Sequence, residues 1–151
     1  VSKLLKTHRQ PIREAGLEIV SMFSQKKLYV QGDEDLLFSA LEAILQNAYQ
    51  YTLEGGEVGI RIRNDQTYAH IEIADTGVGI EPDEQEKVFE HMYRGRSADA
   101  GPTDSRGMGL GLYISKQYIE MHHGIIKLSS KVGKGTLVSI WLPLRGINPN
   151  A

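Results

Sequence analysis

Glycine placement constrains this chain more than any other feature of its sequence. Sixteen of 151 residues are glycine, above the norm of roughly 7%. They gather at Gly55-Gly56, Gly77/Gly79, Gly107/Gly109/Gly111 and Gly133/Gly135. Glycine weakens the interior of helices and strands but permits positive φ and close backbone approach. Clusters of this kind mark turns or a surface that hugs a ligand, and the segments between them must supply the regular elements.

Those segments have readable periods. Asp33 reads as an N-cap ahead of Leu36, Leu37, Ala40, Leu41, Ile44, Leu45 and Ala48, a stripe that predicts a helix over 34–51. Val58, Ile60 and Ile62 alternate with polar residues, as do Ala69, Ile71 and Ile73, and the Asn64-Asp65-Gln66 turn makes 57–75 a β-hairpin. Ile125–Lys131 and Thr136–Leu142 read as a second strand pair, joined through Gly133-Lys134-Gly135. A helix is expected over 12–23, entered through Pro11, with Ile12, Ala15, Ile19, Val20 and Phe23 on its apolar side. Another is expected over 109–122, with Leu110, Tyr113, Ile114, Gln117 and Met121 at helical spacing. Leu28-Tyr29-Val30 is a brief strand candidate, the polar and punctuated stretch 90–106 reads as a mobile loop, and Gly146–Ala151 as a frayed tail.

The expected fold is an α/β (α+β) two-layer sandwich, a mixed, mainly antiparallel sheet of about five strands covered on one face by about three helices. Residues 1–24 read as a helical lead-in and 25–145 as the principal domain. One compact domain suits 151 residues with 40% hydrophobic content. A net charge of −2 gives no broad field for nucleic acid, so no nucleic-acid partner is expected. Zero cysteines exclude disulfides, thiolate metal sites and a Cys nucleophile. With no membrane-length apolar run and no signal-peptide layout, the expected location is cytoplasmic. Because the sequence begins at Val1, any sensor or membrane anchor of a longer parent is expected outside these residues.

Several residues look chemical. With Leu37 at the centre of the apolar stripe, Asn47 falls roughly 80° to one side, Ala43 roughly 120° and Gln50 roughly 140°. Asn47 is thus either a solvated edge residue or a ligand contact. Strand parity directs Asp75 to the same face as Ile71 and Ile73, where a carboxylate needs donors or else caps its own Thr76-Gly77 turn. Thr136 shares parity with Val138, Ile140 and Leu142, so its hydroxyl points into the same layer. Asp75-Thr76-Gly77-Val78-Gly79-Ile80 leads to Pro82 rather than straight into a helix, which argues against a Rossmann turn. Gly107-Met108-Gly109-Leu110-Gly111 does open a helix, where free N–H groups make either a phosphate site or a hinge. Neither cluster is a Walker A loop. Arg94, Arg96 and Arg106 in or beside the loop read either as clamps on an anionic ligand or as ordinary surface charges.

In order and spacing these pieces resemble the catalytic and ATP-binding (Bergerat-fold) domain of two-component sensor histidine kinases, within the group that includes gyrase, Hsp90 and mismatch-repair ATPases. Asn47 through Thr52 resembles the N box, Asp75–Ile80 the first glycine box and Phe89–Arg94 the F box. Gly107–Leu112 resembles the second glycine box and Gly133–Thr136 the third. The resemblance implies ATP and Mg²⁺ as ligands, with Asp75 accepting from the adenine amino group, Thr136 supporting that edge through water and Asn47 holding Mg²⁺. It implies that Gly77 and Gly79 floor the nucleotide site, that Gly107, Gly109 and Gly111 approach the phosphates, that Tyr51 meets adenine or ribose, and that Arg94 meets phosphate. It also implies transfer of the γ-phosphoryl group to a His on a separate dimerisation domain, with a response regulator downstream. The isolated domain would be a monomer with little turnover, and its parent a homodimer.

Departures from the pattern temper this. The N box usually carries a second polar residue four positions before Asn47, where this chain has Ala43, and Gln50 stands where a Lys is common. His8 lacks the H-box pattern and reads as a surface or linker residue, while His91, His122 and His123 read as structural or surface residues. A catalytic phosphoacceptor is therefore expected outside the chain. An anti-sigma-type protein-serine kinase and a degenerate nucleotide-binding interaction module are the alternatives.

Overall fold

The computed structural model describes residues 1–90 and 111–146. Along the chain run α1 (Ser2–Glu14), β1 (Glu18–Met22), α2 (Glu34–Gln50), β2 (Glu57–Asn64), β3 (Tyr68–Asp75), a 3₁₀ turn (Lys87–Phe89), α3 (Gly111–Met121), β4 (Ile125–Lys131) and β5 (Gly135–Pro143). The five strands form one sheet in the order β1-β2-β3-β5-β4. β1 runs parallel to β2 and the other neighbours are antiparallel. The mixed two-layer sandwich expected from the sequence is the fold observed.

α2 forms where its periodicity puts it. Asp33 Oδ1 accepts from the Leu36 N–H at 3.0 Å, and Glu34 and Asp35 in the first turn suit the positive end of the helix dipole. Its buried residues Ala40, Leu41, Ile44, Leu45 and Ala48 meet Val58 and Ile60 of β2, Ile71 and Ile73 of β3, and Val138, Ile140 and Leu142 of β5 in one core. The alternation read from the two strand pairs is thus the inner face of the sheet. On the outer face the side chains bind one another: Arg63 Nε donates to His70 Nδ1 at 2.8 Å, and Trp141 stacks on the His70 ring at 4.5 Å.

Three expectations need correcting. The helix placed over 12–23 lies instead over Ser2–Glu14, buried through Leu4, Leu5, His8 and Ile12, and residues 18–22 are the edge strand β1. Gly16, at φ +74, turns the chain between them, and Pro11 sits inside α1 rather than at its start. Ile19 and Val20 favour the strand because their β-branched side chains fit a pleated surface. The candidate strand at Leu28–Val30 is reduced to a single bridge, Val30 to Leu144. In α3 the buried residues are Leu112, Ser115 and Ile119, so the stripe is displaced from the one expected, and Met121 is exposed.

The candidate nucleotide site

Asp75 is the last residue of β3, and its Cα faces Val58 of β2 on one side and Thr136 of β5 on the other. Its Oδ1 accepts from the Gly77 N–H at 2.8 Å and, at 3.3 Å, from the Thr136 N–H. Burial pushes the carboxyl up from 3.8 to about 6, outweighing those two bonds, which favour the ionised form. No hydrogen bond among the described residues involves Oδ2. Oδ1 thus caps the turn, as one of the two readings expected, and also takes a donor from β5.

Backbone packing fixes the turn that follows. A Cβ on Gly77 would strike the Tyr51 carbonyl, and one on Gly79, at φ +75, would strike the Lys131 carbonyl. The Val78 N–H donates to Tyr51 O at 3.2 Å, and the Gly133 N–H donates to Val78 O at 2.9 Å. The first glycine segment is thus held between the end of α2 and the β4–β5 connection. Gly135, at φ +129, lets β5 pass against the Asp75 carbonyl.

Along α2, Ala43, Asn47 and Tyr51 follow at one-turn intervals. Tyr51 carries the carbonyl that meets Val78, and Ala43 Cβ lies 3.8 Å from where a Cβ of Gly111 would stand. Asn47 therefore sits between the first glycine turn and the start of α3, half-buried, and no hydrogen bond among the described residues involves its amide. Ser115 fixes α3 on α2: its fully buried hydroxyl lies 2.8 Å from the carbonyls of both Ala40 and Gly111. Asp75, Gly77, Gly79, Thr136, Tyr51, Asn47 and Gly111 thus fall along one continuous surface. Arg94, Gly107 and Gly109, with nearly all of the expected loop, lie outside the described residues.

Two polar residues of this surface escape a motif search. Ser130 of β4 pairs with Thr136 and holds it through its hydroxyl, 2.8 Å from Thr136 Oγ1. Gln85 donates through Nε2 to Ile80 O at 3.0 Å and to Ser130 O at 2.9 Å, stapling the glycine segment to β4. A signal for Ser130 exists in the sequence, since it shares inward parity with Ile126 and Leu128. Gln85 offers none, because only the tertiary path brings its amide to two carbonyls.

The histidines divide. His8 is not a surface residue: it is 5% exposed, with Nε2 2.7 Å from Glu42 Oε1 and Nδ1 3.2 Å from the Tyr49 hydroxyl. His122 is structural, its Nδ1 2.6 Å from Tyr118 O and its Nε2 accepting the Asp33 N–H at 3.0 Å. Among the described residues no cluster of three His, Asp or Glu side chains is placed to hold a metal ion. The lone Asn47 amide suits a hard cation that keeps waters and borrows its other oxygens from a phosphate chain.

Comparison with known proteins places the chain in a family and agrees with its fold. The sensor histidine kinase RppB of Synechocystis is 36% identical over an alignment of 147 residues that covers 95% of this chain but 31% of RppB. The chain thus spans about a third of that relative's length. The structure of the mycobacterial sensor histidine kinase MprB superposes with a TM-score of 0.80 at 30% identity, covering 97% of both chains. The histidine kinase ThkA, solved in complex with the response regulator TrrA, shares the fold with a TM-score of 0.75 at 21% identity over 94% of this chain and 38% of that one. Residues 32–146, most of the chain, match the histidine kinase-, DNA gyrase B- and HSP90-like ATPases, and the chain belongs to that family.

Proposed function

We propose that this chain is the ATP-binding catalytic domain of a sensor histidine kinase. The observation that carries this reading is the half-committed carboxylate of Asp75, held at the end of a strand by Gly77 and Thr136 with Oδ2 left over. An ionised carboxylate can only accept, so it matches an exocyclic amino group such as that of adenine. Thr136 supports the same edge through a water, Gly77 and Gly79 let the backbone approach the base, and Tyr51 meets adenine or ribose. Asn47 holds Mg²⁺, which neutralises phosphate charge when bound. Gly111, with Gly107 and Gly109 before it, offers backbone N–H groups to the phosphates, and Arg94 adds a cation.

In the longer parent, a His on a separate dimerisation domain attacks the γ-phosphorus. A P–N bond forms, the bond to the β,γ-bridging oxygen breaks, and ADP departs. The phosphoryl group then passes to a response regulator. Ala43 supplies no group to activate water, which fits a domain that positions ATP for a partner rather than hydrolysing it. The named relatives favour this over a serine kinase or a degenerate module. No helix among the described residues is long and apolar enough to cross a membrane.

Calorimetry with a non-hydrolysable ATP analogue and Mg²⁺ tests the reading. The wild-type chain should bind, and Asp75→Asn, which turns an acceptor into a donor, should weaken binding by about tenfold to a hundredfold. Unchanged binding by the variant, or none by the wild type, would overturn the proposal.

A further inference from the structure

On the outer face of the sheet, His70 of β3 stands in register between Arg63 of β2 and Trp141 of β5. The residue is 8% exposed, and its ring stacks on the indole with the two planes 11° apart. Arg63 Nε lies 2.8 Å from His70 Nδ1. A guanidinium has only donors and keeps its charge, so Nδ1 supplies the lone pair: the ring is neutral and its proton sits on Nε2. That Nε2–H is buried and has no hydrogen-bond partner among the described residues. Glu72 Oε1 stands 3.9 Å from it and is held at 3.1 Å by Arg63 Nη2, while Arg61 Nη1 lies 3.7 Å from the other carboxylate oxygen. The same guanidinium thus binds both the ring and the carboxylate that the ring would need if it were charged.

We propose that His70 is a proton-operated latch for Arg63: a second proton on the ring expels the guanidinium, hands Glu72 to the imidazolium and projects Arg63 from the outer face of the sheet. The proton comes from solvent and binds Nδ1. Nδ1–H and Arg63 Nε–H then face each other as donors on two cations, so that bond is lost, while Nε2–H becomes a charged donor already close to Glu72. The Arg63 side chain is 58% exposed and has water to move into. Burial, first of all, holds the ring below its ordinary range; Arg63 acts in the same direction, and Glu72 and Asp65 of the β2–β3 turn oppose them. Two further titratable groups lie nearby: Lys127 of β4 stands over the Trp141 ring, 5.9 Å from its centroid, and Tyr68 is on the outer face two residues before His70. The latch is therefore closed at neutral pH and opens below the 6.5 of an ordinary histidine. Opening adds one charge and a free guanidinium to a face that already carries Arg61 and Lys127, so acid changes what this face offers to a partner. None of this depends on the nucleotide reading.

Trp141 is the one tryptophan of the chain, and a stacked imidazolium quenches indole emission more strongly than neutral imidazole does. Emission of the whole chain should fall as pH is lowered, with a midpoint below 6.5. His70→Gln should remove that step, and any change that persists in it belongs to other groups, such as Asp75. Arg63→Met, which keeps the aliphatic stem without the donors, should move the midpoint to higher pH, and Glu72→Gln should move it lower. Nitrogen NMR on the wild type should show the Nε2–H tautomer of His70 at pH 7.5, and the Arg63 Nε–H resonance should move to that of a free guanidinium with the same midpoint. A proton on Nδ1 at pH 7.5, an Arg63 resonance indifferent to the step, or a midpoint unmoved by Arg63→Met would overturn the proposal. Unfolding ahead of any step, followed by circular dichroism, would overturn it as well, because the folded chain would then never hold the charged ring. The tautomer and the Arg63 resonance are read on the wild type, so they decide the matter even if a variant fails to fold.

Discussion

Asp75 carries a cost that the free domain bears for its site. Its folded carboxyl titrates at about 6 rather than 3.8 because burial outweighs two backbone donors. The folded chain therefore holds a proton that the unfolded chain has released. No penalty exists below pH 3.8; it grows as pH rises towards 6 and is then constant, at about 3 kcal/mol by linkage. Asp75→Asn keeps an oxygen for Gly77 and Thr136 and removes the charge, so it should raise the melting temperature at pH 7.5. In paired thermal scans the gain should shrink as pH falls towards 4; a gain independent of pH would contradict this origin. The position of Asp75 was legible because a strand has a period of two: the same parity that buries Ile71 and Ile73 turns Asp75 inward, and it turns Thr136 and Ser130 inward as well. Which oxygen Gly77 would take, and that Gln85 would tie Ile80 to Ser130, depended on tertiary approach and left no trace in local pattern.

Elements with a strong period were readable and those without were not. α2 carries an unbroken apolar stripe with a capping Asp33, and it forms as expected. β1 is a five-residue edge strand whose residues are mostly exposed, so no alternation distinguishes it, and its apolar residues merge into a false continuation of the preceding helix. The displaced stripe of α3 has another cause: fully buried Ser115 serves the core through hydrogen bonds, which a hydrophobic count overlooks. This difference in burial predicts a contrast in stability. Ile44→Ala in α2, at 1% exposure, should cost about 2–5 kcal/mol in urea denaturation. Val20→Ala in β1, at 41% exposure, should cost less than about 1 kcal/mol. Equal losses would mean that the core does not centre on α2.

At the scale of the molecule, the first residues belong to the packing. Leu4, Leu5, Ile12 and Leu17 lie in the same core as α2 and the sheet, and His8 reaches across to Glu42 and Tyr49. A chain begun at residue 25 would uncover that apolar surface and leave Glu42 without its partner. It should unfold at markedly lower urea, with a broader transition than the 151-residue chain; an unchanged midpoint would show the lead-in to be dispensable. The sheet order β1-β2-β3-β5-β4 bears on how such a chain is made. The last strand to be synthesised, β5, is an interior one, and it supplies Thr136 opposite Asp75. Until β5 leaves the ribosome, β3 has a bare edge and β4 has no strand to join, so the growing polypeptide holds an unfinished, adhesive sheet. Ligand competence then arrives in a single late event, when the final strand slides between two that have been waiting for it.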